Sequence, residues 1–143
     1  MTASLIVNLA VADLDRSVAF FTALGFGFNP ALTDDNGACL VVGDNAYVML
    51  LRPAFFSAFT TKGIADSATT AEAILAVTVD SRAEVDRIVR AALASGGSPA
   101  NDPEEISGVY GWSFHDPDGH LWEVLNMDVP RAAPAPGAGA EAG

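Results

Sequence analysis

The sequence predicts an α+β domain made of two βαβββ modules, whose strands form a curved, cavity-enclosing mixed sheet with the helices outside. Three observations predict it. Strand-type alternation and helix-type periodicity follow one another in the same order in each half of the chain. The stretch CLVVGDNAYVMLL, from Cys39, overlays SFHDPDGHLWEVL, from Ser113, without a gap. The strands that open the two halves also match, with Ile6 over Ile74.

Module one covers about residues 4–53. Leu5 to Val11 alternates as a strand. Asp13 caps a helix from about Leu14 to Leu24, with Leu14, Val18, Phe21 and Leu24 on one stripe and Gly25 just past its end. After GFGFNPAL, Gly37 to Val42 and Ala46 to Leu51 pair about the turn Gly43-Asp44-Asn45. Asn and Gly tolerate the left-handed conformation best, so Asn45, which falls on Gly119, implies the same turn in both hairpins. Residues 54–71 link the modules, and FFSAFTTKGIADSATT suits a linking segment or a lid with a short helical turn.

Module two covers about residues 72–128. Ala73 to Val79 alternates as a strand. Ser81 and Glu84 form a Ser-x-x-Glu capping pair ahead of a helix bearing Val85, Ile88, Val89, Ala92 and Leu93, which stops at Gly96-Gly97. The loop SPANDPEE leaves room for another strand. Tyr110 to His115 and His120 to Met127 form the last hairpin. Residues 130–143, rich in Pro, Ala and Gly, are expected to be disordered, which leaves 1–129 as a single domain.

Seven Lys and Arg against 18 Asp and Glu give 143 residues a net charge of −11. That argues against a nucleic-acid partner, which needs a basic face. It favours cationic over anionic ligands at long range. No apolar run approaches the length of a membrane span, and the N-terminus has neither a basic start nor a clean cleavage site. With Cys39 as the sole cysteine, the reading is a cytoplasmic protein with no disulfide framework.

In the last hairpin, Glu123 is set between Trp122 and Val124. A carboxylate in such a strand is costly unless water, a partner or a ligand receives it. A type I turn ending in a left-handed Gly119 sets Asp116 opposite His120, His115 opposite Leu121, and Ser113 opposite Glu123. His115 is then diagonal to Glu123. Strand alternation adds Asn8, Tyr47 and Met49 from module one to the same kind of face, so the cavity wall is apolar with scattered polar groups.

The order VADLDRSVAFFTALGF, a second module, then DPDGHLWEV resembles the vicinal oxygen chelate superfamily, which includes glyoxalase I, bleomycin resistance proteins and extradiol dioxygenases. The resemblance covers roughly residues 4–128 and implies the glyoxalase/bleomycin resistance/dioxygenase fold. Metal-using members hold a divalent ion with four side chains, and those positions match Ile6, Met49, Ile74 and Glu123. Only Glu123 retains a donor, so a divalent metal is poorly supported and no other cofactor is expected. The resemblance further implies a homodimer and a small-molecule ligand.

Several functions fit this pattern. One is a small-molecule-binding member of the superfamily with its metal site largely lost, with Asn8, Tyr47, Met49 and Ser113 contacting the ligand. A second is a bleomycin-resistance-like protein that sequesters a cationic drug, with Phe55, Phe56 and Phe59 lining the crevice. A third is a lyase or dioxygenase-like enzyme with a non-standard site, using Glu123 and His115 as an acid–base pair.

Overall fold

The computed structural model describes residues 1–127. The tail expected at 130–143 lies outside them. Module one runs β1 (Leu5–Ala10), α1 (Leu14–Ala23), β2 (Gly27–Asn29), a 3-10 turn at Pro30–Leu32, β3 (Gly37–Gly43) and β4 (Ala46–Leu51). A short helix, α2 (Pro53–Ser57), opens the linker. Module two runs β5 (Ile74–Thr78), α3 (Arg82–Ala94), β6 (Ser98–Pro99), β7 (Glu104–Ile106), β8 (Val109–His115) and β9 (Leu121–Met127).

The first sheet has the order β1-β4-β3-β2, and the second β5-β9-β8-β6, with β7 also pairing β8. In each, the module's first strand lies parallel to its last, β1 on β4 and β5 on β9. The intervening helix makes that crossover possible, while the hairpins pair antiparallel. The repeat read from the sequence is therefore a repeat of topology.

One feature of the expectation is corrected. No strand pairing joins the two sheets among the described residues, so they do not close around a cavity within one chain. Their helix-bearing faces meet instead in one core. It unites Leu9, Val48 and Leu50 of the first sheet, Val85 and Val89 of α3, and Phe114, Trp122 and Val124 of the second. From α1, the Phe20 ring reaches Phe114 at 5.9 Å and the Phe21 ring reaches Trp122 at 5.0 Å. Each such ring contributes about 1.5–3 kcal/mol by burial. The opposite face of the second sheet is left without a helix among the described residues, whereas α2 packs against β1 of the first.

The caps follow the sequence with one departure. Asp13 accepts the Arg16 N–H at 3.1 Å, and Ser81 accepts the Glu84 N–H at 3.1 Å. Glu84 does not reach back to complete the box. Its carboxylate holds Arg87, and that hydrogen bond lowers its pKa. Arg87 in turn donates to Leu24 O at 3.2 Å, so α3 satisfies a carbonyl at the end of α1.

The two hairpins share a register but not a turn. Cys39 pairs Met49 as Ser113 pairs Glu123. Gly119 is left-handed at φ 94°, as the three-residue loop requires. Asn45 is not left-handed, so its expected equivalence to Gly119 fails. The first hairpin closes Gly43 on Ala46 and shifts register between Val41 and Gly43. A bulge in the strand thus supplies the extra residue that the second hairpin places in its turn. Gly37 and Gly111 repeat as well: a Cβ on either would lie 2.7 Å from a leucine methyl, of Leu51 or of Leu125.

The turn Asp116-Pro117-Asp118-Gly119 clasps the modules together. Asp116, only 3% exposed, accepts the N–H groups of Asp118 and His120 at 3.0 Å and the Trp122 Nε1–H at 3.1 Å. Asp118 reaches across to module one. It accepts the Ala12 N–H at 2.8 Å, Arg16 Nη2 at 3.2 Å and the Ser17 hydroxyl at 3.3 Å. A carboxylate there also suits the positive end of α1. The His120 Nε2–H donates to Ala10 O at 2.9 Å.

The clasp yields two predictions. Asp118→Ala should cost about 2–3 kcal/mol in urea unfolding, since it strips charge-assisted bonds from a nearly buried carboxylate. Arg16→Ala should cost under about 1 kcal/mol, because that side chain is 46% exposed. Burial raises the Asp116 pKa against the opposing pull of His120, Trp122 and the backbone donors. A raised folded value means the protonated form is favoured by folding. This group's contribution is then fully present below the ordinary carboxylate range and lost as pH rises through the raised value. The stability difference between wild type and Asp116→Asn should shift against wild type across that window.

Candidate functional site

Along β9 the side chains alternate. Trp122, Val124 and Asn126 are buried on the helix side, while Leu121, Glu123 and Leu125 are half-buried on the helix-free face. Ser113 stands opposite Glu123 and His115 opposite Leu121. The register expected from Gly119 is the one observed.

Glu123 lines a groove of about 210 Å³. Leu125, Ser113 and Gly111 share it from the hairpin, and Asn101, Glu104 and Ile106 form the facing wall. Glu104 and Ile106 belong to the strand β7, which pairs Glu104 with Gly111 and Ile106 with Val109, and Asn101 lies in the loop before it. Its tip turns through Ser107 at φ 52° and Gly108 at φ 80°, two successive left-handed residues that reverse the chain tightly. The loop SPANDPEE was the sequence signal for this wall, but nothing in it revealed that the wall would face Glu123.

Neither proposed neighbour bonds the carboxylate. The Ser113 hydroxyl accepts the Asn101 N–H at 2.9 Å and lies 3.5 Å from Asn101 O, so it ties down the wall. His115 opens into an adjacent cavity of about 580 Å³, with Leu121 on its floor and residues 67–71 along one side. Among the described residues, neither Glu123 nor His115 has a side-chain hydrogen bond or ion pair.

The module-one candidates lie on the other sheet and line neither cavity. Asn8 is exposed on β1, beside Met49 of β4. The Tyr47 hydroxyl donates to Asp44 O in its own turn at 2.9 Å. Met49 faces Cys39, which is 1% exposed and whose thiol pKa is raised by burial. Phe55 and Phe59 pack edge to face at 5.2 Å, with Phe59 71% exposed, and they too stand away from both cavities.

The four positions that correspond to metal ligands can be tested by their chemistry. Ile6 and Ile74 are 52% and 57% exposed, but their side chains are hydrocarbon. Met49 offers a thioether, which a hard divalent ion binds poorly. Among the described residues no group of three or more His, Cys, Asp or Glu is arranged to hold a metal ion. These side chains do not fit the superfamily's metal. No helix among the described residues is long and apolar enough to cross a membrane.

Comparison with known proteins bears on this fold. Residues 4–43 match the family described as bleomycin resistance protein-like N-terminal. No curated protein matches significantly. A hypothetical protein, SA1046 from S. aureus, is 29% identical with a TM-score of 0.75, over 89% of this chain and 95% of that one. A glyoxalase/bleomycin resistance protein/dioxygenase family enzyme from Burkholderia phytofirmans is 19% identical with a TM-score of 0.70, over 85% and 96%. A bleomycin resistance determinant encoded on the transposon Tn5 is 20% identical with a TM-score of 0.62, over 90% and 100%. The chain has the fold of these glyoxalase/bleomycin resistance/dioxygenase structures, and the family match over residues 4–43 is consistent with the vicinal oxygen chelate superfamily.

Proposed function

We propose that this protein binds a small molecule in the Glu123 groove, on the helix-free face of the second sheet, and does so without the superfamily's four-donor metal site. The observation that carries the reading is Glu123 itself. It is half-buried between Leu121 and Leu125, and among the described residues no protein group receives its charge. A carboxylate kept in that setting works against folding. A ligand with a hydrogen-bond donor or a positive charge offsets the cost.

The surroundings favour sequestering over metal chemistry. Among the described residues no Lys or Arg lines the groove, while Asp102 and Glu104 do, and the chain's net charge is −11. A cationic guest is the one this electrostatic setting attracts. The relative on Tn5 is named a bleomycin resistance determinant. An acid–base pair of Glu123 and His115 is less favoured, because the two side chains open into neighbouring cavities.

A second copy of the chain completes the site in this proposal. Ile6 and Ile74 stand exposed on the outermost strands β1 and β5, whose outer edges are unpaired among the described residues. Exposed apolar edges of this kind are normally covered, and a twofold partner covers both at once.

Two outcomes test the proposal. A thermal-shift screen of cationic glycopeptides and small aromatic compounds should give a rise of at least about 2 °C in wild type that disappears in Glu123→Gln. No shift at millimolar ligand would overturn the reading. Glu123→Met should raise unfolding free energy by about 1 kcal/mol in the absence of ligand, as expected when a residue is kept for binding at some expense of stability. A loss of stability would mean that the carboxylate serves the fold instead.

A further inference from the structure

The 580 Å³ cavity beside the Glu123 groove has a wall with an unusual hydrogen-bond inventory. Its size is that of a small-molecule site. Its apolar surface comes from Leu121, Pro117, Ala68 and Ala71. Three hydroxyls around it have given their protons away. The Ser67 hydroxyl donates to Asp118 O at 2.7 Å, the Thr69 hydroxyl to the Asp66 carboxylate at 3.2 Å, and the Thr70 hydroxyl to Asp66 O at 2.7 Å.

The backbone repeats this pattern. The N–H groups of Ala68, Thr69 and Thr70 all turn to Asp66. Those of Asp118 and Gly119 turn to Asp116, and Pro117 has none to offer. Among the described residues no Lys or Arg lines the cavity. A hydroxyl whose proton is engaged still presents lone pairs, so what these groups leave toward the cavity is acceptors. His115 and Ser98 are the exceptions: neither side chain has a hydrogen-bond partner among the described residues, and the imidazole and the hydroxyl can each donate or accept.

The wall is also held in place before any ligand arrives. Besides the Ser67 bond, Ser67 O packs so near Gly119 that a Cβ there would lie 2.4 Å from it. The strap of residues 67–71 is therefore pinned to the same turn that clasps the modules.

We infer that this cavity is a second subsite, which takes a ligand presenting N–H donors, an ammonium or amidinium on a compact apolar body, and rejects carboxylates. A carboxylate entering it meets carbonyl and hydroxyl lone pairs on the strap, with the Ser98 hydroxyl and the His115 ring as the free side-chain donors, so its desolvation is compensated only in part. An amidinium meets acceptors on the strap, an apolar floor, and the His115 ring at the side. The inference rests on this wall's donors and acceptors and does not require the Glu123 groove to bind anything.

The test uses benzamidine and benzoate as matched probes, followed by NMR of the histidine side chains. The chain has two histidines, and His120, engaged by Ala10 O, serves as the internal control. Benzamidine should move the His115 imidazole signals saturably, with benzoate at least tenfold weaker. Ala71→Trp, a change at an exposed wall position, should abolish the benzamidine response, and Glu123→Gln should leave it unchanged. Equal response to both probes, no saturable response to benzamidine, or an unaffected response in Ala71→Trp would each overturn the inference. Loss of the response in Glu123→Gln would also overturn it, by assigning the probe to the neighbouring groove.

Discussion

The capture of α1 by Asp118 is the contact on which the arrangement of the two halves depends. Within the β8–β9 hairpin, the buried Asp116 shapes the turn by taking the N–H groups of Asp118 and His120. The turn, so shaped, aims Asp118 at Ala12, Arg16 and Ser17, and His120 at Ala10 O. These polar contacts ring the aromatic cluster of Phe20, Phe21, Phe114 and Trp122. Apolar burial supplies the larger share of the energy but is not directional. The charge-assisted bonds set how the modules meet, and with that which face of each sheet is left open.

This division explains why one short hairpin carries both structural and functional weight. The turn residues and the inward-facing Trp122 and Val124 belong to the core. Leu121, Glu123 and Leu125 point the other way and have no helix over them. The linker strap and β7 rise at either side of this strip, one held by Ser67 and the other by Ser113. The floor of the proposed site is thus anchored by the same strands that bury the core, while its walls are the linker strap on one side and the short strand β7 with the loop before it on the other.

Much of this was legible in the sequence because it depends on local rules. The period-2 and period-3.6 patterns gave the elements, the caps at Asp13 and Ser81 gave the helix starts, and Gly119 gave the register that sets Ser113 opposite Glu123. What was not legible depends on contacts between distant residues. Ser113 was a candidate partner for Glu123, but the chain around Asn101, twelve residues away, takes its hydroxyl. Glu84 was set to close its own cap, but Arg87 claims it. Asn45 was read as left-handed from its residue type, yet a strand bulge served the same end. The pairing of the helix faces was hidden because periodicity says which face is apolar and not what it meets.

The most direct test of this account is the coupling energy between Asp118 and Ser17, from urea unfolding of Asp118→Ala, Ser17→Ala and the double variant. If the turn of the second module holds the helix of the first, the two changes are strongly non-additive, with coupling of about 1 kcal/mol or more. Additive losses within about 0.3 kcal/mol would contradict it, and would leave the module arrangement to apolar packing alone.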